Sequence, residues 1–139
     1  MTPAKAPLPF LGTWKLTKCE TSHPELPHPA EGMTTMTQGE NTIDYANEGV
    51  RSDGLKNKTT ADLKLDGSWC PVTGSLVADS LSFRVREDGS MEAKMRKGGV
   101  DVGSTHSIVS ADGRTMTGHW KFVGPGGSTV TWTTTSQRQ

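Results

Sequence analysis

The sequence predicts an all-β domain, an up-and-down antiparallel barrel of about 8–10 strands. Three observations carry this prediction. No window of ten or more residues shows a helical period. Short segments with two-residue alternation of apolar and polar side chains follow one another along most of the chain. Turn signals such as Asp53-Gly54, Asp66-Gly67, Lys97-Gly98-Gly99 and Asp112-Gly113 punctuate them. Closing such a meander removes the exposed edges that an open sheet leaves. A two-sheet sandwich is the alternative, because strand count alone does not separate the two.

Residues 1–11 read as an N-terminal arm, since Pro3, Pro7 and Pro9 prevent regular pairing. Leu8, Phe10 and Leu11 within it are suited to plugging one end of a barrel. Residues 12–139 then form a single domain. In 12–19, Trp14 and Leu16 share one face. The segment 20–30 holds three prolines and reads as a stiff loop, because proline lacks the amide donor that regular structure needs. Strands resume at 32–38, 41–47 and 58–65. A longer one, 76–86, puts Leu81, Phe83 and Val85 on one face. In 90–96, Met91, Ala93 and Met95 oppose Glu92, Lys94 and Arg96. Strands at 102–110, 114–123 and 128–135 complete the series. The last two place Trp120, Phe122, Val130 and Trp132 inward.

Composition narrows the function. At 139 residues the chain holds one core. Only 32% of residues are hydrophobic, which suits a partly polar interior with open volume, although disordered ends would lower the fraction too. Fifteen basic and fifteen acidic residues balance, with no block of like charge. Nucleic-acid binding needs a basic surface, and none is encoded. No apolar run is long enough to insert into a membrane. The opening residues carry no signal-peptide core, so the chain as written is expected in the cytoplasm, with export after removal of a leader as the alternative. Cys19 and Cys70 are neither a disulfide scaffold nor a CxxC pair. They read as two thiols in a reduced compartment or as one bridge.

The string Leu11-Gly12-Thr13-Trp14-Lys15-Leu16 resembles the first-strand Gly-x-Trp motif of the lipocalins and related calycins. Further stretches, Leu65-Asp66-Gly67, Pro71-Val72-Thr73-Gly74, Met95-Arg96-Lys97-Gly98-Gly99 and Val109 to Thr117, resemble a set of small bacterial lipocalin-like proteins of unassigned activity. The resemblance implies a barrel floor made by Gly12 and Trp14, with a basic side chain over the tryptophan. Arg138 is the basic residue placed for that role. The chain lacks the helical lid of the fatty-acid-binding proteins, so the loop 20–30 would have to serve as the lid.

Four tryptophans, three phenylalanines and Tyr45 supply the aromatic surface. Flat rings with polar edges hold and orient apolar ligands, and methionines make an adaptable wall. The expected ligand-binding set is Met36, Tyr45, Leu63, Phe83, Met95, His106, Trp120 and Trp132. The expected partner is a small hydrophobic or amphipathic molecule in the interior, bound by a monomer or homodimer without cofactor. The alternative is a small barrel enzyme, an isomerase, cyclase or lyase. It would use His106 and Tyr45, since polar groups in an apolar pocket acquire shifted pKa values. Binding ranks ahead of it because no acid–base pair is visible. A filled barrel acting through its surface is a third possibility. His106 shares a face with Ile108 and is expected to point inward, where it would also be the one histidine available to a haem. His23 and His28 match no zinc spacing, and no metal site is expected.

Overall fold

Ten strands close into one antiparallel barrel in the computed structural model, which describes residues 8–139. They are β1 (Gly12–Thr21), β2 (Pro29–Gln38), β3 (Thr42–Arg51), β4 (Lys56–Lys64), β5 (Asp66–Thr73), β6 (Ser80–Val85), β7 (Met91–Lys97), β8 (Val100–Val109), β9 (Thr115–Val123) and β10 (Thr129–Arg138). Each pairs with its neighbour in sequence, and β1 closes the ring on β10. The barrel is therefore up-and-down, and the sandwich alternative is set aside.

Side-chain alternation dictates which face each strand turns inward. Met91, Ala93 and Met95 of β7 are buried, and Lys94 between them is exposed. Across β9 and β10 the register pairs Phe122 with Val130 and Trp120 with Trp132. Facing partners share a side of the sheet, so both tryptophans enter the barrel together.

The core is concentrated at one end. Trp14, Phe10, Ile43 and Leu63 are the largest fully buried side chains. Phe10 packs edge-on against Phe83 with ring centroids 5.6 Å apart. Leu8 and Leu11 lie against the same cluster. Residues 1–7 of the expected arm lie outside the described residues. Among the described residues, no helix is long and apolar enough to cross a membrane.

Several boundaries differ from the sequence reading, and one strand is additional. β1 runs on to Thr21 and β2 starts at Pro29, so the proline-rich loop is shorter than expected. The chain from 74 to 79 is a loop, and β6 begins only at Ser80. β5 went unrecognised because Gly67 and Pro71 interrupt its pattern. It is also irregular in space. It pairs with β4 only through Thr60–Thr73 and Ala61–Val72, and its register on β6 shifts between Asp66 and Trp69. Both cysteines are free thiols.

Candidate functional site: the barrel interior

Two adjoining chambers occupy the space above the packed end. The lower, about 120 Å³, rests on Trp14, Leu63 and Phe83. The upper, about 210 Å³, extends to the loop 74–79 at the mouth. Tyr45, Leu81, Met95, Trp120, Thr134 and Ser136 line both. A shallower depression of about 690 Å³ lies on the flank of β1 to β4 and is bordered by charged side chains such as Lys15, Glu48 and Lys58. It arises because β1 and β2 pair only from Gly12–Met36 to Lys15–Met33. The interior, with its apolar and oriented polar groups, has the form expected of a small-molecule site.

One wall of the upper chamber is aromatic. Trp120 stacks on Phe122 at 6.0 Å and 12°, and Phe122 meets Trp132 at 4.4 Å and 51°. Trp120 Nε1 donates to Thr134 Oγ1 at 3.0 Å. Trp132 Nε1 is buried with no hydrogen-bond partner among the described residues. The facing wall is a chain of amides and hydroxyls. Asn57 Nδ2 donates to Asn47 Oδ1 at 2.9 Å and to Thr59 Oγ1 at 3.0 Å. Asn47 Nδ2 donates to Thr34 Oγ1 at 2.8 Å. These contacts fix how each amide is turned.

Among the described residues, no ionisable carboxylate, amine, guanidinium or imidazole lines the lower chamber. In the upper one Glu31 and Arg51 take part, alone among the described residues, and Arg51 is held by Asp53 at 2.9 Å through Nε. Tyr45 sits at the junction of the chambers. Burial pushes its phenol up to about 12, so it stays a neutral hydroxyl at physiological pH.

The lid is the loop 74–79. Ser75 Oγ accepts from the backbone N–H groups of Val77 and Ala78, both at 3.1 Å. Leu76, Val77 and Ala78 then lie over the upper chamber. The expected lid, 20–30, is corrected by this arrangement. Only Pro29, already in β2, reaches the cavity. The apolar run Leu76-Val77-Ala78 reads as a strand in the sequence because cover for a cavity and burial in a core demand the same residue types.

Met36, Tyr45, Leu63, Phe83, Met95 and Trp120 line the lower chamber, and Trp132 lines the upper. His106 does not, which corrects the inward placement. It lies on the outer face of β8, where its cross-strand partners are Glu92 and His119, and its Nε2 meets Ser90 Oγ at 3.0 Å. It does share a face with Ile108, but Ile108 is itself 46% exposed. The inward residues of β8 include Thr105 and Ser107, so this strand turns hydroxyls toward the cavity while Ile108 faces out. A haem or proton-transfer role for His106 in the interior is removed by this geometry. At the packed end, Arg138 stands over Trp14 with its guanidinium carbon 4.3 Å from the ring centroid. Gly12 lies beside that guanidinium.

Sequence reasoning missed the polar lining: Asn47, Asn57, Thr59, Thr105, Ser107 and Ser136. Its one trace was the low hydrophobic fraction. Among the described residues, no group of three or more histidine, cysteine, aspartate or glutamate side chains is arranged to hold a metal ion.

No protein-family model matches the chain, and no curated protein matches it by sequence. Solved structures do match in shape. The S-type phycobiliprotein lyase CPES from Guillardia theta superposes with a TM-score of 0.59 at 14% identity, over 94% of this chain and 89% of that one. Bovine odorant binding protein, solved with a selenium-containing odorant, superposes at 0.53 and 16% identity, over 100% of this chain and 76% of that one. A redesigned β-barrel, mFAP0, solved with DFHBI, superposes at 0.51 and 15% identity, over 94% and 99%. The fold is thus that of the lipocalin-like barrels, without a helical lid.

Proposed function

We propose that this protein binds a small hydrophobic or amphipathic molecule reversibly inside its barrel. The carrying observation is the two-chamber cavity, walled by Trp120, Phe122 and Trp132 and covered by the loop 74–79. An interior left open at this scale forgoes packing contacts that a filled core would make. A ligand restores those contacts, and the methionines and aromatics on the wall adapt to its shape. The three barrels of similar fold were described respectively as a lyase and as structures holding an odorant or DFHBI, which accords with an interior used for small molecules. Of the residues expected for the isomerase, cyclase or lyase alternative, only Tyr45 lines the cavity, and among the described residues no carboxylate or imidazole joins it in the lower chamber.

Titration with N-phenyl-1-naphthylamine, a neutral probe whose emission rises in apolar surroundings, tests this. One saturable site per chain is expected. Ser136 lines both chambers, so Ser136→Leu should weaken the site at least tenfold while the thermal transition is retained. Ala93→Leu should do the same from β7, another strand lining the lower chamber. A probe that fails to saturate, or that binds both variants as it binds the wild type, overturns the proposal.

A further inference from the structure

The lower chamber is unusual in the polar groups it leaves unused. Thr105, Ser107, Ser136 and Tyr45 all line it. None of their hydroxyls makes a side-chain hydrogen bond with the described residues, and none is sealed away from the chamber. The hydroxyls of Thr34, Thr59 and Thr134, by contrast, are engaged by Asn47, Asn57 and Trp120. Unpaired polar groups inside a protein carry a cost unless water or a ligand satisfies them. The chamber has room for about four waters at liquid density.

The two ends of the cavity therefore ask for different chemistry. Below are hydroxyls that can both donate and accept. Above, Thr34, Asn47, Asn57 and Thr59 are engaged with one another, and three aromatic faces stand across from them. Among the described residues, no charged side chain lines the lower chamber to neutralise a charged ligand, and burying an unpaired charge is strongly unfavourable. Building on the binding function above, we infer that the ligand is an uncharged, flat, oxygen-bearing aromatic held oxygen-end down. Its carbonyl or hydroxyl oxygen lies among Tyr45, Thr105, Ser107 and Ser136, and its ring lies against Trp120, Phe122 and Trp132. The oxygen takes over hydrogen bonds that chamber water would otherwise make, and releases that water.

Three probes of one size separate the possibilities: naphthalene, 2-naphthol and 2-naphthoate, each titrated at pH 7 and followed by amide chemical shifts of the full chain. 2-Naphthol should bind about tenfold tighter than naphthalene, the worth of one net hydrogen bond. 2-Naphthoate should show no saturable binding. Tyr45→Phe should shrink the advantage of 2-naphthol over naphthalene from about tenfold to about twofold or less. Equal binding of naphthalene and 2-naphthol by the wild type would mean that the hydroxyls serve water alone, and would overturn this inference while leaving the binding function standing. Preference for 2-naphthoate, or an equal loss of both neutral probes in Tyr45→Phe, would overturn it as well. Saturation by none of the three would remove both. Should Tyr45→Phe fail to fold, the wild-type ranking of the three probes decides.

Discussion

The guanidinium of Arg138, the last residue of β10, covers the indole of Trp14 on β1 at 4.3 Å. The same group donates from Nε to Gly113 O at 2.7 Å, from Nη1 to Leu11 O at 2.5 Å and from Nη2 to Pro9 O at 2.6 Å. Trp14 Nε1 in turn donates to Phe10 O at 2.9 Å. One planar cation thus ties together the approach to the first strand, the β8–β9 turn and the end of the last strand. Gly12 is explained by the same contact. Its φ is 122°, and a Cβ there would stand 2.5 Å from Arg138 Nη1. Glycine, tryptophan and arginine are therefore one structural unit, although the arginine lies more than a hundred residues away in sequence.

Arg138→Lys should lower stability despite keeping the charge. A lysine ammonium cannot present the guanidinium fork to three carbonyls or stack flat on an indole. A loss of about 2 kcal/mol is expected, from charge-assisted hydrogen bonds and the cation–π contact together. Urea denaturation measures it, and a lysine variant as stable as the wild type would show the fork to be dispensable.

Gly74→Ala should disturb the lid more than the barrel. Gly74 has a φ of 80°, and a Cβ there would come within 2.0 Å of the backbone oxygen of Lys58. The chain must shift to accept it, and the shift falls at the root of the loop covering the cavity. Faster hydrogen exchange at Val77 and Ala78 is expected, with faster release of N-phenyl-1-naphthylamine. Unchanged exchange at both amides would place the lid's rigidity elsewhere.

The alternation of 90–96, 114–123 and 128–135 was legible because those strands put apolar residues on the inside, as an ordinary core does. Trp120 and Trp132 follow from that alternation, and both line the cavity, as does Tyr45 of β3. The pattern became illegible where the inside is polar. On β8 the cavity face carries Thr105 and Ser107, while Ile108 faces out, so hydrophobicity pointed the wrong way and took His106 with it. β5 was hidden by Pro71, which lacks an amide hydrogen and is tolerated where the strand is irregularly paired. Partners distant in sequence, such as Asn47 with Asn57 and Thr34, leave no periodic signal at all.

Two exposed carboxylates should respond to pH in opposite directions. Asp44 lies directly across from Asp62 on the neighbouring strand. A hydrogen bond with Asp62 raises its pKa above the ordinary 3.8, helped by burial and by the like charge. A carboxyl with a raised folded pKa opposes folding when ionised, and that penalty fades as pH falls. Asp44→Asn should therefore raise the melting temperature at pH 7 and lose its advantage below about pH 3. Asp53 is held down to about 2, chiefly by its hydrogen bonds with Arg51. Its contribution is full above 3.8 and is lost as pH falls toward 2. Asp53→Asn should lower the melting temperature at pH 7 and converge on the wild type near pH 2. Thermal melts across that range decide, and parallel curves for either variant would contradict the assigned cause.

The tryptophans provide an internal control for the cavity. Trp132 and Trp120 face each other across β9 and β10, with ring centroids 6.0 Å apart. Trp69 stands outside, 38% exposed, with the Arg96 guanidinium 4.0 Å over its ring. A ligand in the upper chamber touches the first pair and not Trp69. Nitrobenzene is flat, uncharged and oxygen-bearing, and it quenches indole emission on contact. In the wild type it should quench saturably at low concentration and then rise linearly through collisions in solution. Trp69→Phe removes emission that the bound quencher does not reach, so the saturable fraction should grow. Trp132→Phe removes emission that it does reach, so that fraction should shrink, while the remaining ring preserves most of the packing against Phe122. The sign difference between the two variants is the test. Shifts of the same sign and size would mean that nitrobenzene does not sit against the β9–β10 wall, and a response linear from the first addition would mean that it does not enter the barrel.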